Sequence, residues 1–144
     1  MSRTGILLFA HGARDPNWAQ PFEAVAQRLR SRPSNHAEKA PEVTLAFLEF
    51  MSPDIATAGD DLATRGCTEV SVVPLFLGAG GHVRKDLPKL LDALAARHPG
   101  VSWHLCPAVG ETEILIQGMA DAAWALAESS LPRSPQGASP PEPA

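Results

Sequence analysis

Gly5-Ile-Leu-Leu-Phe-Ala10 is a short, unbroken apolar run, and its reading decides the fold. A strand covered on one face alternates apolar with polar residues, whereas a strand covered on both does not. The run therefore predicts an interior strand of a parallel sheet with helices on either side. Two comparable runs follow, Val43-Thr-Leu-Ala-Phe-Leu48 and Glu69-Val-Ser-Val-Val-Pro-Leu-Phe76, and then a half-patterned one, Val101-Ser-Trp-His-Leu105. Helical spacing fills the intervals. Trp18, Phe22, Val25, Ala26 and Leu29 form a stripe across Pro16–Arg30, followed by a Ser/Pro/Asn loop over 30–41. Ser52-Pro53 reads as cap and first turn of a second helix through Ile55, Ala58 and Leu62, stopping at Gly66. Val83–Arg97 is the third, with Leu87, Leu90, Leu91 and Leu94 on its buried side and Pro88 in its first turn or at its true start. Glu111–Ser129 is a fourth, rich in Ala.

Four strands alternating with four helices predict a small three-layer α/β domain with a mainly parallel four-stranded sheet. It is expected to occupy residues 1–130. Residues 131–144 are rich in Pro and Ser with little to bury, and are expected to be a disordered tail. A length of 144 residues allows one ordinary domain, and a hydrophobic content of 44% is enough for its core. Two cysteines without a second pair exclude a Cys-rich zinc module or an iron–sulfur framework, and fit a reducing cytoplasm. No uncharged stretch approaches a spanning helix and no basic-then-apolar leader is seen, so neither membrane nor export is expected. The net charge is −4, with the basic residues dispersed in short patches rather than a stripe. Nucleic acid is therefore not an expected partner; a small anionic ligand is.

In open α/β sheets, ligands bind beyond the carboxyl ends of the strands. After the first strand come His11, Gly12, Arg14 and Asp15; at the end of the second is Glu49; after the third, past a glycine cluster, is His82 with Arg84 and Lys85. Two imidazoles and a carboxylate thus reach one edge, a workable ligand set for a divalent first-row ion that leaves positions open. Each has a plainer reading: a turn residue for either His, and a pair with Arg14 for Glu49. Gly78-Ala-Gly-Gly81 lacks the order of a phosphate loop, and reads either as a flexible turn or as backbone in close approach to a bulky ligand. A serine hydrolase is disfavoured because no GxSxG elbow is present. A histidine phosphotransfer enzyme could use His11 beside Arg14, but leaves Glu49 and His82 without work.

Leu7-Leu-Phe-Ala-His11-Gly-Ala-Arg14-Asp15, Phe47-Leu-Glu49-Phe-Met-Ser-Pro53 and Val72-Val-Pro74-Leu-Phe-Leu77 with Gly80-Gly-His82-Val-Arg-Lys-Asp86-Leu-Pro88 together resemble the small single-domain CbiX type of the CbiX/SirB chelatases. The resemblance spans about residues 5–127, and implies a chelatase-like fold. It also implies a lyase that inserts divalent cobalt, or alternatively iron or nickel, into sirohydrochlorin or a related tetrapyrrole. On that resemblance His11, Glu49 and His82 are the catalytic residues and transient metal ligands. Arg14, Ser52, Gly78, Gly80, Gly81, Arg84 and Lys85 are expected to bind the substrate. Ala13 stands where the family commonly has Ser, and Leu87 where it has Ile. No permanently bound cofactor is implied, and the short length implies a homodimer in which paired domains complete the tetrapyrrole pocket. A non-catalytic metal carrier could use the same three side chains.

Overall fold

The computed structural model describes residues 3–33, 40–78 and 80–132, with His82 described in its backbone only. Among the described residues there are four strands: β1 (Arg3–Ala10), β2 (Glu42–Phe47), β3 (Cys67–Pro74) and β4 (Ser102–Leu105). They pair in the order β2-β1-β3-β4, and every pair is parallel. The helices are α1 (Gln20–Arg30), α2 (Ile55–Thr64), α3 (Gly81–Arg97) and α4 (Glu113–Ser130). Residues to Thr112 form one compact unit, and Glu113 onward a second that contains α4. Of the expected tail, residues 133–144 lie outside the described residues.

The first unit has three layers, and the unbroken run in β1 explains them. Leu7 and Phe9 face one way, packed with Val70 and Val72 against Ile55, Ala58 and Leu62 of α2 and Leu87, Leu91 and Leu94 of α3. Leu8 faces the other way, with Val43 and Ala26 of α1. Each fully buried aliphatic side chain contributes about 1.5–3 kcal/mol of transfer free energy, so β1 contributes to both cores at once. Cys67 sits at 2% exposure, and burial pushes its thiol pKa up, leaving it inert. Among the described residues no helix is long and apolar enough to cross a membrane.

Strand and helix ends shift by one or two residues from the sequence reading, and three helix starts differ in kind. The cap of α2 is Asp54, whose carboxylate accepts from the Thr57 N–H at 2.8 Å; this bond holds the Asp54 pKa below its ordinary value. Ser52 and Pro53 precede that helix, because the Pro53 carbonyl is taken by the Phe47 N–H of β2 at 2.9 Å. α3 begins at Gly81, so Pro88 lies inside the helix, well past its first turn. An interior proline costs about 3 kcal/mol, and the buried Leu87, Leu91 and Leu94 hold the helix through it. The first helical segment is divided into a 3-10 turn, Pro16–Ala19, capped by Asp15, and then α1. Gly66 does follow α2, at φ +90, the left-handed conformation that ends a helix.

Register brings the strand ends together. Ala10 of β1 lies opposite Phe47 of β2, and Phe9 opposite Pro74 of β3. Leu48 N–H donates to the Ala10 carbonyl at 2.8 Å and Leu75 N–H to the Phe9 carbonyl at 2.7 Å, extending both ladders by one step. His11, Glu49 and the start of α3 therefore share the carboxyl edge of the sheet.

Candidate active site

His11 is the first residue past β1 and is held at two points. Its carbonyl accepts from the Trp18 indole N–H at 2.7 Å, and its ring packs on Phe76 with centroids 4.4 Å apart. Phe76 is buried at 2% exposure, so the imidazole rests on a fixed surface. Across the edge, Glu49 Oε1 stands 3.5 Å from His11 Nδ1. Glu49 Oε2 is buried and has no hydrogen-bond partner among the described residues. An unsatisfied buried polar atom costs about 1–3 kcal/mol, more when charged. Two ligand bonds of about 2.1 Å to atoms 3.5 Å apart would subtend about 113°, near the tetrahedral angle. The pair is suited to a divalent ion, and its side chains are 44% and 38% exposed, open enough for that ion to enter and leave.

Backbone approach makes the pair possible. A Cβ on Gly12 would collide with the Glu49 carbonyl oxygen, so the 48–51 segment can lie against the end of β1 only because residue 12 has no side chain. That segment turns tightly: Met51 N–H donates back to the Glu49 carbonyl at 2.8 Å, around Phe50 at φ 65. Positive φ is an outlier for a bulky residue and costs about 1–3 kcal/mol. Arg14 lies with its guanidinium carbon 5.1 Å from the Phe50 ring centroid, so Glu49 faces His11 and Arg14 faces Phe50.

The remaining expected residues distribute as follows. His82 is the second residue of α3, which follows β3 at this edge; its side chain lies outside what is described. Among the described residues no three His, Cys, Asp or Glu side chains converge on one point, so a third ligand is not among them. A Cβ on Gly78, Gly80 or Gly81 would meet open space, which leaves their backbone approachable. Arg84 pairs with Glu111 at 3.0 Å, and Lys85 is exposed near the start of α3. Ser52 borders a different concavity, a groove of about 920 Å³ along β2 and α1 whose lining includes neither His11 nor Glu49. His98 and His104 serve other contacts, with Asp60 and Glu69 respectively, each at 2.6 Å.

Sequence reasoning missed Trp18, Phe50 and Phe76. Trp18 read as one member of a helical stripe and Phe76 as the last residue of a strand. Phe50 lies between a strand-end Glu and a Ser-Pro turn, and its backbone conformation leaves no mark in the residue pattern.

Fold and site together define a parallel-sheet α/β domain whose carboxyl edge holds an open imidazole–carboxylate pair. The chain belongs to the CbiX family, whose model matches residues 5–123. It is 36% identical over 87 residues to a sirohydrochlorin cobaltochelatase of Saccharolobus islandicus, a match covering 60% of this chain and 62% of that protein. A sirohydrochlorin cobaltochelatase of Sulfurisphaera tokodaii is 33% identical over 90 residues, covering 62% and 69%. The chain thus spans less than two thirds of the length of the first of these relatives. Among solved structures, a CbiX protein from Marinobacter aquaeolei superposes with a TM-score of 0.74 at 31% identity, covering 88% of this chain and 99% of that one. The sirohydrochlorin chelatase SirB from Bacillus subtilis subspecies spizizenii, in complex with cobalt, gives 0.72 at 25% identity, covering 87% and 51%.

Proposed function

We propose that this protein is a sirohydrochlorin chelatase, a lyase that exchanges a divalent metal ion for the two inner protons of the macrocycle. The observation that carries the reading is the His11–Glu49 pair: open to solvent, 3.5 Å apart, with one buried carboxylate oxygen that has no partner among the described residues. The metal is substrate here, so an incomplete ligand set is the useful one, because a closed site would retain the ion. His11 and Glu49 hold the ion, with His82 as the third member of the set, while its waters leave. The macrocycle nitrogens then bind the ion as two pyrrole N–H protons are released. A carboxylate and a neutral imidazole can accept those protons at neutral pH. Arg14, Lys85, Arg84 and the backbone of Gly78, Gly80 and Gly81 are the proposed contacts to the anionic rim; Ser52, on a different concavity, is not among them.

Cobalt is the preferred ion in this proposal, supported by the names of the relatives and by the cobalt bound to the Bacillus protein. Iron and nickel share the same ligand chemistry, and availability weighs heavily in metal choice. The proposal includes a homodimer, since a broad, flat substrate needs cover on both faces and one domain supplies one wall. It also places the protein in the cytoplasm, in keeping with its free thiols Cys67 and Cys106. Incubating the purified protein with sirohydrochlorin and Co2+, Fe2+ or Ni2+ in turn, and following the absorbance change of insertion, tests the reading. Insertion well above the spontaneous rate, fastest with Co2+, is expected. A rate no faster than the uncatalysed reaction, in protein that still binds Co2+, would leave only metal carriage.

A further inference from the structure

Phe50 costs the fold something and is repaid by none of its own contacts with the core. The residue is 64% exposed, its backbone is held at φ 65, and the turn that holds it is closed by the Met51-to-Glu49 hydrogen bond. Glycine would take this conformation without strain, and a polar residue would meet the solvent more favourably. The turn also fixes the residue directly after Glu49, whose carboxylate faces His11. Arg14 stands over the ring, so its exposure falls on the opposite face and the rim. Leu48 and Leu77 are exposed on the segments that follow β2 and β3, so apolar surface accompanies the polar pair at this edge.

We infer that Phe50 is a stacking plate for the flat face of the tetrapyrrole, oriented by the strained turn and by Arg14. The inference rests on the chelatase reading and adds a binding residue to it. An aromatic ring contributes little to holding a hydrated metal ion, but offset stacking suits a planar conjugated macrocycle. A macrocycle stacked on this ring would lie at the sheet edge that carries the His11–Glu49 pair, and Arg14, fixed on the same ring, would stand at its carboxylate-bearing margin.

The test is titration of the full-length protein with sirohydrochlorin in the absence of metal, with Co2+ alone, and by thermal unfolding, for wild type, Phe50→Leu, Phe50→Trp and Phe50→Gly. Phe50→Leu and Phe50→Gly are expected to weaken sirohydrochlorin binding roughly five- to tenfold while Co2+ affinity stays within twofold. Phe50→Trp is expected to retain sirohydrochlorin binding, and Phe50→Gly to raise Tm, since it removes the strain. Equal sirohydrochlorin affinity in wild type, Phe50→Leu and Phe50→Gly would overturn the plate and leave the chelatase reading intact. Failure of the wild type itself to bind sirohydrochlorin would overturn both. A fall in Tm and in Co2+ affinity alongside the macrocycle would instead make Phe50 a structural residue. Loss of macrocycle binding only in step with a change in light-scattering mass would make it a contact between copies of the chain.

Discussion

Gly12 and Glu49 show how much of the site depends on single atoms. The Glu49 carbonyl occupies the space a Gly12 side chain would fill, and the same residue directs its carboxylate at His11. Gly12→Ala is therefore expected to displace the 48–51 segment, and to lower both Co2+ affinity and insertion rate at least tenfold. Calorimetric titration of Co2+ and the insertion assay check this; wild-type values would show that the segment yields without moving Glu49. His11 and Glu49 were legible in the sequence because chain polarity alone puts residues after parallel strands at the carboxyl edge. Phe50 was not, because a positive φ at a non-glycine residue is imposed by surroundings that no residue pattern encodes. The His11–Phe76 stack was hidden for a related reason, since it joins two segments that meet only through the pairing of β1 with β3.

At the scale of elements, the buried strands were the most readable feature, since residues 5–10 are apolar without a break and serve two cores. Helix starts were less so. Ser52-Pro53 looked like a cap, but a carboxylate one residue further on, Asp54, is a stronger acceptor for the free N–H groups of the first turn. Pro88 looked like a helix start, but burial along Leu87, Leu91 and Leu94 outweighs its missing hydrogen bond. Leu94 is 1% exposed, so Leu94→Ala is expected to cost about 2–5 kcal/mol in urea unfolding. Asp60 ties α2 to the end of α3 through Arg97 and His98. Hydrogen bonds from Arg97 first, and then from His98, hold its carboxyl below the ordinary value. A lowered native pKa stabilises the fold at pH above the unfolded value, and that contribution is lost as pH falls through the native one. Thermal unfolding between pH 6 and 3 is thus expected to show an acid loss below about pH 4 that is smaller in Asp60→Asn. Identical acid profiles would show that the tie contributes nothing.

For the whole molecule, the parallel α/β architecture and family membership were both within reach of three short motifs, because those motifs are the strand ends and turns that build the edge. Assembly was not, because a surface that meets another copy carries no periodicity of its own. The proposed homodimer is expected to give twice the chain mass by light scattering at micromolar concentration, both in full length and in a chain ending at Ser130. A monomer that inserts metal at an undiminished rate per subunit on dilution would show that one domain suffices. Delivery of the ion depends on Glu49 acting with His11. Glu49→Gln keeps the shape and removes the charge, so the most direct measurement is its initial rate of Co2+ insertion into sirohydrochlorin beside that of wild type. The expected result is a rate lower by about 10²–10⁴ with sirohydrochlorin affinity unchanged; insertion at the wild-type rate would contradict it.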